Sequence, residues 1–143
     1  MKTKEGSLRH FAIAFGIALV LYFAAFHLIE SCRIARKPWV LTFEHRRGTP
    51  AELLIEHENG PTRIRFAGAP AATNEVKQTI VFDKARPVPF GVPFGTCVFL
   101  DTTFLPGTVT LQCFGHEIEM IPRVLIIDHQ EHAWKPGMLI ALP

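Results

Sequence analysis

A chain of 143 residues has room for one ordinary domain and a short additional segment. Hydrophobic residues make up 48% and charged residues only 20%, a balance that argues against a disordered chain. The net charge of +2 is unevenly distributed: residues 1–37 hold six Lys/Arg against two Glu, whereas residues 38–143 hold nine Lys/Arg against eleven Asp/Glu, which disfavours a nucleic-acid-binding domain.

The N-terminal region contains an apolar segment, residues 11–29, in which no side chain is charged. At the helical rise it spans roughly 28 Å, close to the thickness of a bilayer's hydrocarbon core. We predict a single transmembrane helix between a charged flank, residues 1–10, and a basic linker, residues 30–37, whose cations suit lipid phosphates. The alternatives are a buried helix and a cleaved signal, although Ile29-Glu30-Ser31-Cys32 matches a lipoprotein cleavage box poorly.

The predicted helix has two neighbouring stripes along one face. At 100° per residue the aromatic side chains lie within about 60° of one another around the helix axis, and a stripe of alanines lies beside them. Small residues let a second helix approach closely, and adjacent aromatic rings fill the groove that results. This pattern predicts packing against another copy or another membrane protein, unless it only reflects how common Ala and Phe are in membrane spans. The face comprises Phe11, Phe15, Tyr22, Phe26, Ala14, Ala18 and Ala25.

The orientation of the helix is indicated by two opposing observations. Three Lys/Arg precede the span and three follow within ten residues, with Arg46 and Arg47 further on, which slightly favours a cytoplasmic domain. An N-terminal anchor followed by a β domain is, however, a common layout for domains exported across a bacterial inner membrane. We therefore predict a periplasmic domain on a single-pass inner-membrane protein.

After Pro38 the pattern changes to short alternating segments separated by Gly, Pro and Asn, and no amphipathic helix is evident. Such a pattern predicts an antiparallel β-sandwich over residues 38–143, immunoglobulin-like as first choice and a small barrel as second. Residues 67–74, rich in Ala and Pro, read as a loop between sheets. The predicted strands lie in residues 39–44, 53–57, 62–66, 77–82, 96–104, 108–114, 117–121, 123–128 and 138–142.

One predicted hairpin allows the cysteines to be placed. A turn at Leu105-Pro106-Gly107-Thr108 pairs Leu100 with Cys113 and points Cys97 away from the core. A Cys97–Cys113 disulfide is then disfavoured unless a bulge shifts the register. Cys32 lies beside the membrane, too remote to pair easily.

A tandem repeat is the most unusual local feature: Val88-Pro89-Phe90-Gly91 is followed by Val92-Pro93-Phe94-Gly95. Pro at every fourth position disfavours regular strand pairing and favours an extended or turn conformation. The two Phe rings in such a loop either plug the end of the β domain or project outwards. If they project, Phe90 and Phe94 form a contact surface for a partner protein.

Two polar groups are candidates for chemistry. Residues 128–132 contain His129 and His132, weak candidates for metal binding, because at a strand-to-loop junction their spacing does not put both on one face. His116 beside Glu117 and Glu119 imitates an acid–base pair, but on a strand the two Glu face away from His116. We interpret the first as a solvated loop and the second as an exposed strand face.

No nucleophile elbow, phosphate loop, haem-attachment motif or zinc pattern is present, so we predict no enzyme and no cofactor. The favoured hypothesis is a non-catalytic accessory subunit of a larger membrane complex, for example a respiratory or photosynthetic one. Its partners are other membrane subunits and the bilayer, with no nucleic acid. The alternative is a membrane-anchored binding or chaperone-like module for a metal, a glycan or a client protein.

Overall fold

The computed structural model describes residues 3–35, 37–69, 74–103 and 107–143. The chain divides into two units, Met1–Arg36 and Lys37–Pro143. Within the described residues the first unit holds one helix, α1, and the second holds eleven strands, β1 to β11. The prediction of a mainly β protein with one N-terminal apolar helix is confirmed.

Helix α1 runs from Thr3 to Ala35 and so continues beyond the apolar segment at both ends. It is rich in good helix formers and lacks Pro, and Pro38 disfavours helical backbone at Lys37. Within it, Gly6–Ser31 has a mean hydropathy of 2.3, and other described residues bury none of its apolar window. The helix is long and apolar enough to cross a membrane.

The strands form two sheets. Sheet A has five strands in the order β11-β3-β2-β1-β4, and sheet B has six in the order β10-β9-β8-β7-β6-β5. All neighbours are antiparallel except β11, which pairs parallel to β3. The strand bounds are β1 Trp39–His45, β2 Ala51–His57, β3 Gly60–Phe66, β4 Val76–Phe82, β5 Phe90–Val92, β6 Gly95–Asp101, β7 Thr108–Cys113, β8 His116–Ile121, β9 Val124–Ile127, β10 Gln130–Ala133 and β11 Leu139–Leu142.

The inner faces of the two sheets share one hydrophobic core. In β1 every second residue is buried, because alternate side chains of a strand point to one face. Leu41 and Phe43 of sheet A and Leu111 and Ile118 of sheet B are fully buried. Residues 83–89 and 134–138 carry the chain from one sheet to the other.

The two sheets are consistent with the predicted sandwich, but an immunoglobulin-like topology is not confirmed. Immunoglobulin domains distribute their strands between the sheets through Greek-key connections. Here β5 to β10 follow one another as a simple meander in sheet B, and β1 to β3 do so in sheet A. The described strands also lie in two separate sheets, whereas a barrel would close them into one.

The predicted pairing of β6 with β7 is wrong by four residues at Leu100, and a bulge then changes the register by one more residue. Leu100 pairs with Val109, the register shifts between Cys97 and Phe99, and Gly95 then pairs with Cys113. An extra residue in one strand reverses the facing of those that precede it, so Cys97 points into the core instead of away from it. The predicted turn at Leu105-Pro106 lies outside the described residues.

Two strands occupy segments predicted to be irregular. β5 lies within the tandem repeat and forms a hairpin with β6 through a turn at Pro93-Phe94, where Phe94 has a φ of 68°. β10 follows a two-residue turn at Asp128-His129, where both φ angles are positive, as a type I′ turn requires. The solvated-loop interpretation of residues 128–132 is therefore replaced by the turn and first strand residues of a hairpin.

Candidate functional site

Polar side chains gather at the end of the β unit where β1 finishes. Strand β1 spans about 20 Å between the two ends of the unit. At its final residues the Phe94 ring contacts Phe43 and His45, and Phe114 packs on Phe94 with ring centroids 5.3 Å apart. The β7–β8 turn containing Phe114 and the β9–β10 turn therefore lie at the end opposite the start of β1. We call His116, Glu117, Glu119, Asp128 and His129 the polar cluster.

The centre of the polar cluster is an ion pair between His116 and Asp128. His116 Nδ1 lies 2.6 Å from Asp128 Oδ2, and His116 Nε2 lies 3.1 Å from the backbone oxygen of Pro143. The second carboxylate oxygen of Asp128 accepts a hydrogen bond from the Glu117 amide, at 2.9 Å. Each ring nitrogen of His116 therefore faces a hydrogen-bond acceptor. Because both nitrogens can donate only when both carry a proton, this arrangement favours the imidazolium form of His116.

The pair alters the acidity of both groups. The hydrogen bond to the Asp128 carboxylate raises the pKa of His116, although partial burial opposes this effect. The hydrogen bond from His116, followed by that from the Glu117 amide, lowers the pKa of Asp128. The imidazole therefore tethers the end of β11 to the turns of sheet B while it is protonated.

Three other members of the cluster form a group suited to a metal ion. One donor atom each from Glu117, Glu119 and His129 lies within 4.8 Å of the others. Glu117 and Glu119 share the outer face of β8, as alternate strand residues do. His129 reaches them because the hairpin turn places it beside β8. A groove of about 520 Å³ lies alongside, lined by Gln112, Gly115, His116, Glu117, Asp128 and His129.

The two histidines proposed from the sequence are not brought together. His132 lies opposite Leu125, a core residue, and so faces the inner side of sheet B. His129 lies in the exposed turn and joins Glu117 and Glu119 instead. The pairing of Ile127 with Gln130 makes Asp128-His129 a tight turn. No glycine marks this turn in the sequence, so it was not predicted.

Phe90 and Phe94 are both partly buried against the core. The Phe90 ring contacts Phe82 at 6.2 Å between centroids, and the Arg86 guanidinium lies 5.7 Å above it. This placement corresponds to the plug alternative at the edge of the core, and contact with a partner protein stays a prediction. Phe94 also lines a groove of about 390 Å³ between the edges of the two sheets, the edge groove, formed by Val76, Gln78, Gly91, Val92, Pro93 and Phe94.

The predicted packing face of α1 is exposed within the described chain. Phe11 is 71% exposed and Tyr22 is 65% exposed. The Tyr22 and Phe26 rings stack on one another with centroids 6.5 Å apart. Nothing in the described chain covers this face.

An aromatic stack that the sequence did not reveal joins the sheets at the end where β1 begins. The His57 and Trp134 rings are 4.3 Å apart and nearly parallel, and Trp39 lies 5.6 Å from each. Trp39 donates a hydrogen bond to the Gly107 carbonyl and is only 2% exposed. The burial of Trp39 and the ring contacts within the stack show that it packs the two sheets together at this end.

Cys97 and Cys113 are buried free thiols on the core face. Burial raises the pKa of Cys97, and burial together with the neighbouring Cys97 raises the pKa of Cys113 to about 12. A thiol with a raised pKa forms little of the reactive thiolate near neutral pH. These cysteines are therefore parts of the core.

Comparison with protein families finds no matching family model, and comparisons with curated proteins and solved structures find no significant match.

Proposed function

We propose that this protein is a non-catalytic accessory subunit of a larger membrane complex, of the kind found in respiratory or photosynthetic energy conversion. The observation that carries the proposal is the exposed apolar helix: Gly6–Ser31 suits a bilayer in length and hydropathy, and no described residue buries it. Its aromatic and alanine stripes give it a distinct side for a second helix.

The β unit supports a non-catalytic role through the state of its reactive groups. Cys97 and Cys113 are buried with raised pKa values. Both ring nitrogens of His116 are engaged by acceptors, so neither is free to act as a general base while the pair is intact.

The proposed location is a bacterial inner membrane with the β unit on the periplasmic side. Protease added to intact spheroplasts tests this orientation. The β unit is digested if it is periplasmic, whereas a cytoplasmic β unit resists digestion until the membrane is broken.

Native co-purification tests the subunit proposal. The tagged full chain, extracted in mild detergent from its own membrane, is expected to migrate on a native gel as part of a stoichiometric complex. Mass spectrometry then identifies the same membrane subunits in repeated preparations. A chain that migrates as a 16.0 kDa monomer in every mild detergent would contradict the proposal.

The second candidate is a membrane-anchored metal-binding module, favoured by Glu117, Glu119 and His129. Two carboxylates and one imidazole suit a first-row divalent ion, with water in the remaining coordination positions. Titration of the full chain in detergent with Zn²⁺ tests this candidate. We expect one ion per chain, with affinity weakened by at least about tenfold in His129→Ala because a ligand is lost.

His132→Ala is the matched control, because it also removes one imidazole from the same hairpin but lies outside the group. Equal loss of Zn²⁺ binding in both variants would exclude this site. Absence of binding to the unaltered chain would exclude the candidate function.

A further inference from the structure

The four edges of the two sheets differ in length and protection. β5 is three residues long and is flanked by Pro89 and Pro93, while β10 and β11 have four residues each. β4 has seven residues, VKQTIVF, with neither Pro nor Gly. Short strands and prolines prevent another strand from pairing, so β4 is the edge most open to it.

The backbone of β4 presents unpaired groups on its outer side. β4 pairs with β1 along its whole length, from Val76 opposite His45 to Phe82 opposite Trp39. In an antiparallel pair, alternate residues direct their N–H and C=O groups away from the neighbour. β4 has no second neighbour, and among the described residues none bonds these outward groups.

The edge groove lies directly beside the first half of β4. Val76 and Gln78, from the row of β4 that faces the core, form one wall, and Val92 and Phe94 form the other. A strand added to β4 would extend sheet A over this groove. Its alternate side chains would then contact Val92 and Phe94, and Gly91 leaves space because it has no side chain.

The opposite face of β4 carries an available cation. Lys77 is exposed and, among the described residues, makes no ion pair. Glu44 lies opposite it on β1 but pairs with Arg46, at 2.8 Å. A carboxylate on an added strand would therefore meet a lysine that is not already neutralised.

We propose that β4 is the docking edge for an extended segment of a partner protein, which pairs antiparallel with it. The segment has apolar side chains at alternate positions, facing the edge groove, and an acidic side chain beside Lys77. β1 satisfies this description on the other side of β4, with Leu41 and Phe43 on one face and Glu44 opposite Lys77. The inference deepens the proposed function, on which it rests, by specifying how a partner subunit contacts the β unit.

A peptide that copies β1 tests the pairing. A fluorescent peptide with the sequence of residues 39–47, WVLTFEHRR, is titrated against the full chain in phospholipid nanodiscs and followed by anisotropy. We expect saturable binding and slower hydrogen exchange at alternate amides of residues 76–82. A peptide with Pro in place of its single Thr and a scrambled peptide are expected not to bind. Equal binding of the scrambled peptide, or no binding of the copy, would overturn the proposal.

A charge exchange tests the register. Lys77→Glu is expected to raise the Kd for the peptide about five- to tenfold, and Lys in place of the peptide's Glu should restore the affinity. Lys84→Glu, which reverses an exposed lysine beyond β4, is the matched control and should leave the Kd unchanged. Melting temperatures of both variants report whether the fold is retained; if it is retained and Lys77→Glu has no effect, this register is wrong.

The outcomes separate this inference from the subunit proposal. If the native complex is isolated but the peptide does not pair with β4, the edge inference fails and the subunit proposal stands. If the peptide binds but the native chain is a lone monomer, the subunit proposal fails. A dimer of the chain that the peptide dissociates would identify a second copy as the occupant and overturn the choice of a different partner.

Discussion

The two glycines of the Val-Pro-Phe-Gly repeat occupy different environments. A Cβ atom on Gly95 would lie 1.9 Å from the Gln112 carbonyl oxygen, because Gly95 pairs closely with β7. A Cβ on Gly91 would meet nothing within 4 Å. The repeat is regular in sequence, but only its second glycine is required by packing.

Gly95→Ala is expected to lower the free energy of unfolding by about 2–3 kcal/mol, because the backbones of β6 and β7 must move apart. Urea unfolding of the full chain in detergent, followed by tryptophan fluorescence, measures the change. Gly91→Ala is the control and should fall within about 0.5 kcal/mol of the unaltered chain. Equal effects of the two variants would contradict the strand pairing at Gly95.

The His116–Asp128 pair predicts a stability that depends on pH. The raised pKa of His116 adds stability to the folded chain. This stability is complete below the pKa of His116 in the unfolded chain, near 6.5, and is lost as the pH rises through its pKa in the folded chain. The lowered pKa of Asp128 also adds stability. This contribution is complete above the pKa of Asp128 in the unfolded chain, near 3.8, and is lost as the pH falls through its pKa in the folded chain. The pair therefore contributes most between about pH 4 and 6.5.

Asp128→Asn tests this dependence in thermal melts with EDTA present. The melting temperature of the unaltered chain should exceed that of the variant most at about pH 5–6, and the difference should shrink by about pH 9. A difference that does not vary with pH would show that the carboxylate acts through the turn geometry alone.

Among the elements, the alternating apolar pattern predicted strand positions well. Residues 39–44 and 62–66 lie within observed strands, because burial of one sheet face imposes a period of two. The bulge in β6 was not predictable, since it depends on contacts with β7. The parallel pairing of β11 with β3 joins segments far apart in sequence, which local patterns do not encode.

The candidate site was predictable only in part. The sequence singled out His129, Glu117 and Glu119, but as two separate groups. Their proximity depends on the Asp128-His129 turn, which lacks the glycine that usually marks a type I′ hairpin.

The position of Cys97 tests the bulge directly. In a Cys32→Ser background, Cys97 and Cys113 are expected to react with a thiol reagent such as DTNB only after unfolding in urea, because both are buried and burial raises both pKa values. Rapid reaction of one thiol in the folded chain would contradict the bulge, because without it Cys97 would face outwards.

For the whole molecule, the packing face of α1 gives an assembly prediction. Ala18→Leu places a larger side chain within the face, whereas Ala24→Leu makes the same change about 120° around the helix, outside it. We expect Ala18→Leu to reduce recovery of the native complex severalfold and Ala24→Leu to leave it unchanged. Equal recovery with both variants would indicate that α1 only anchors the chain in lipid.

The parallel pairing of β11 with β3 has a consequence for biosynthesis. Phe66 of β3 pairs with Leu142 of β11, which is translated roughly half a chain length later. Until then β3 keeps an open edge, and sheet A is incomplete. Sheet A therefore gains its fifth strand only after β11 has been synthesised, and until then the edge of β3 is open to pairing with another strand.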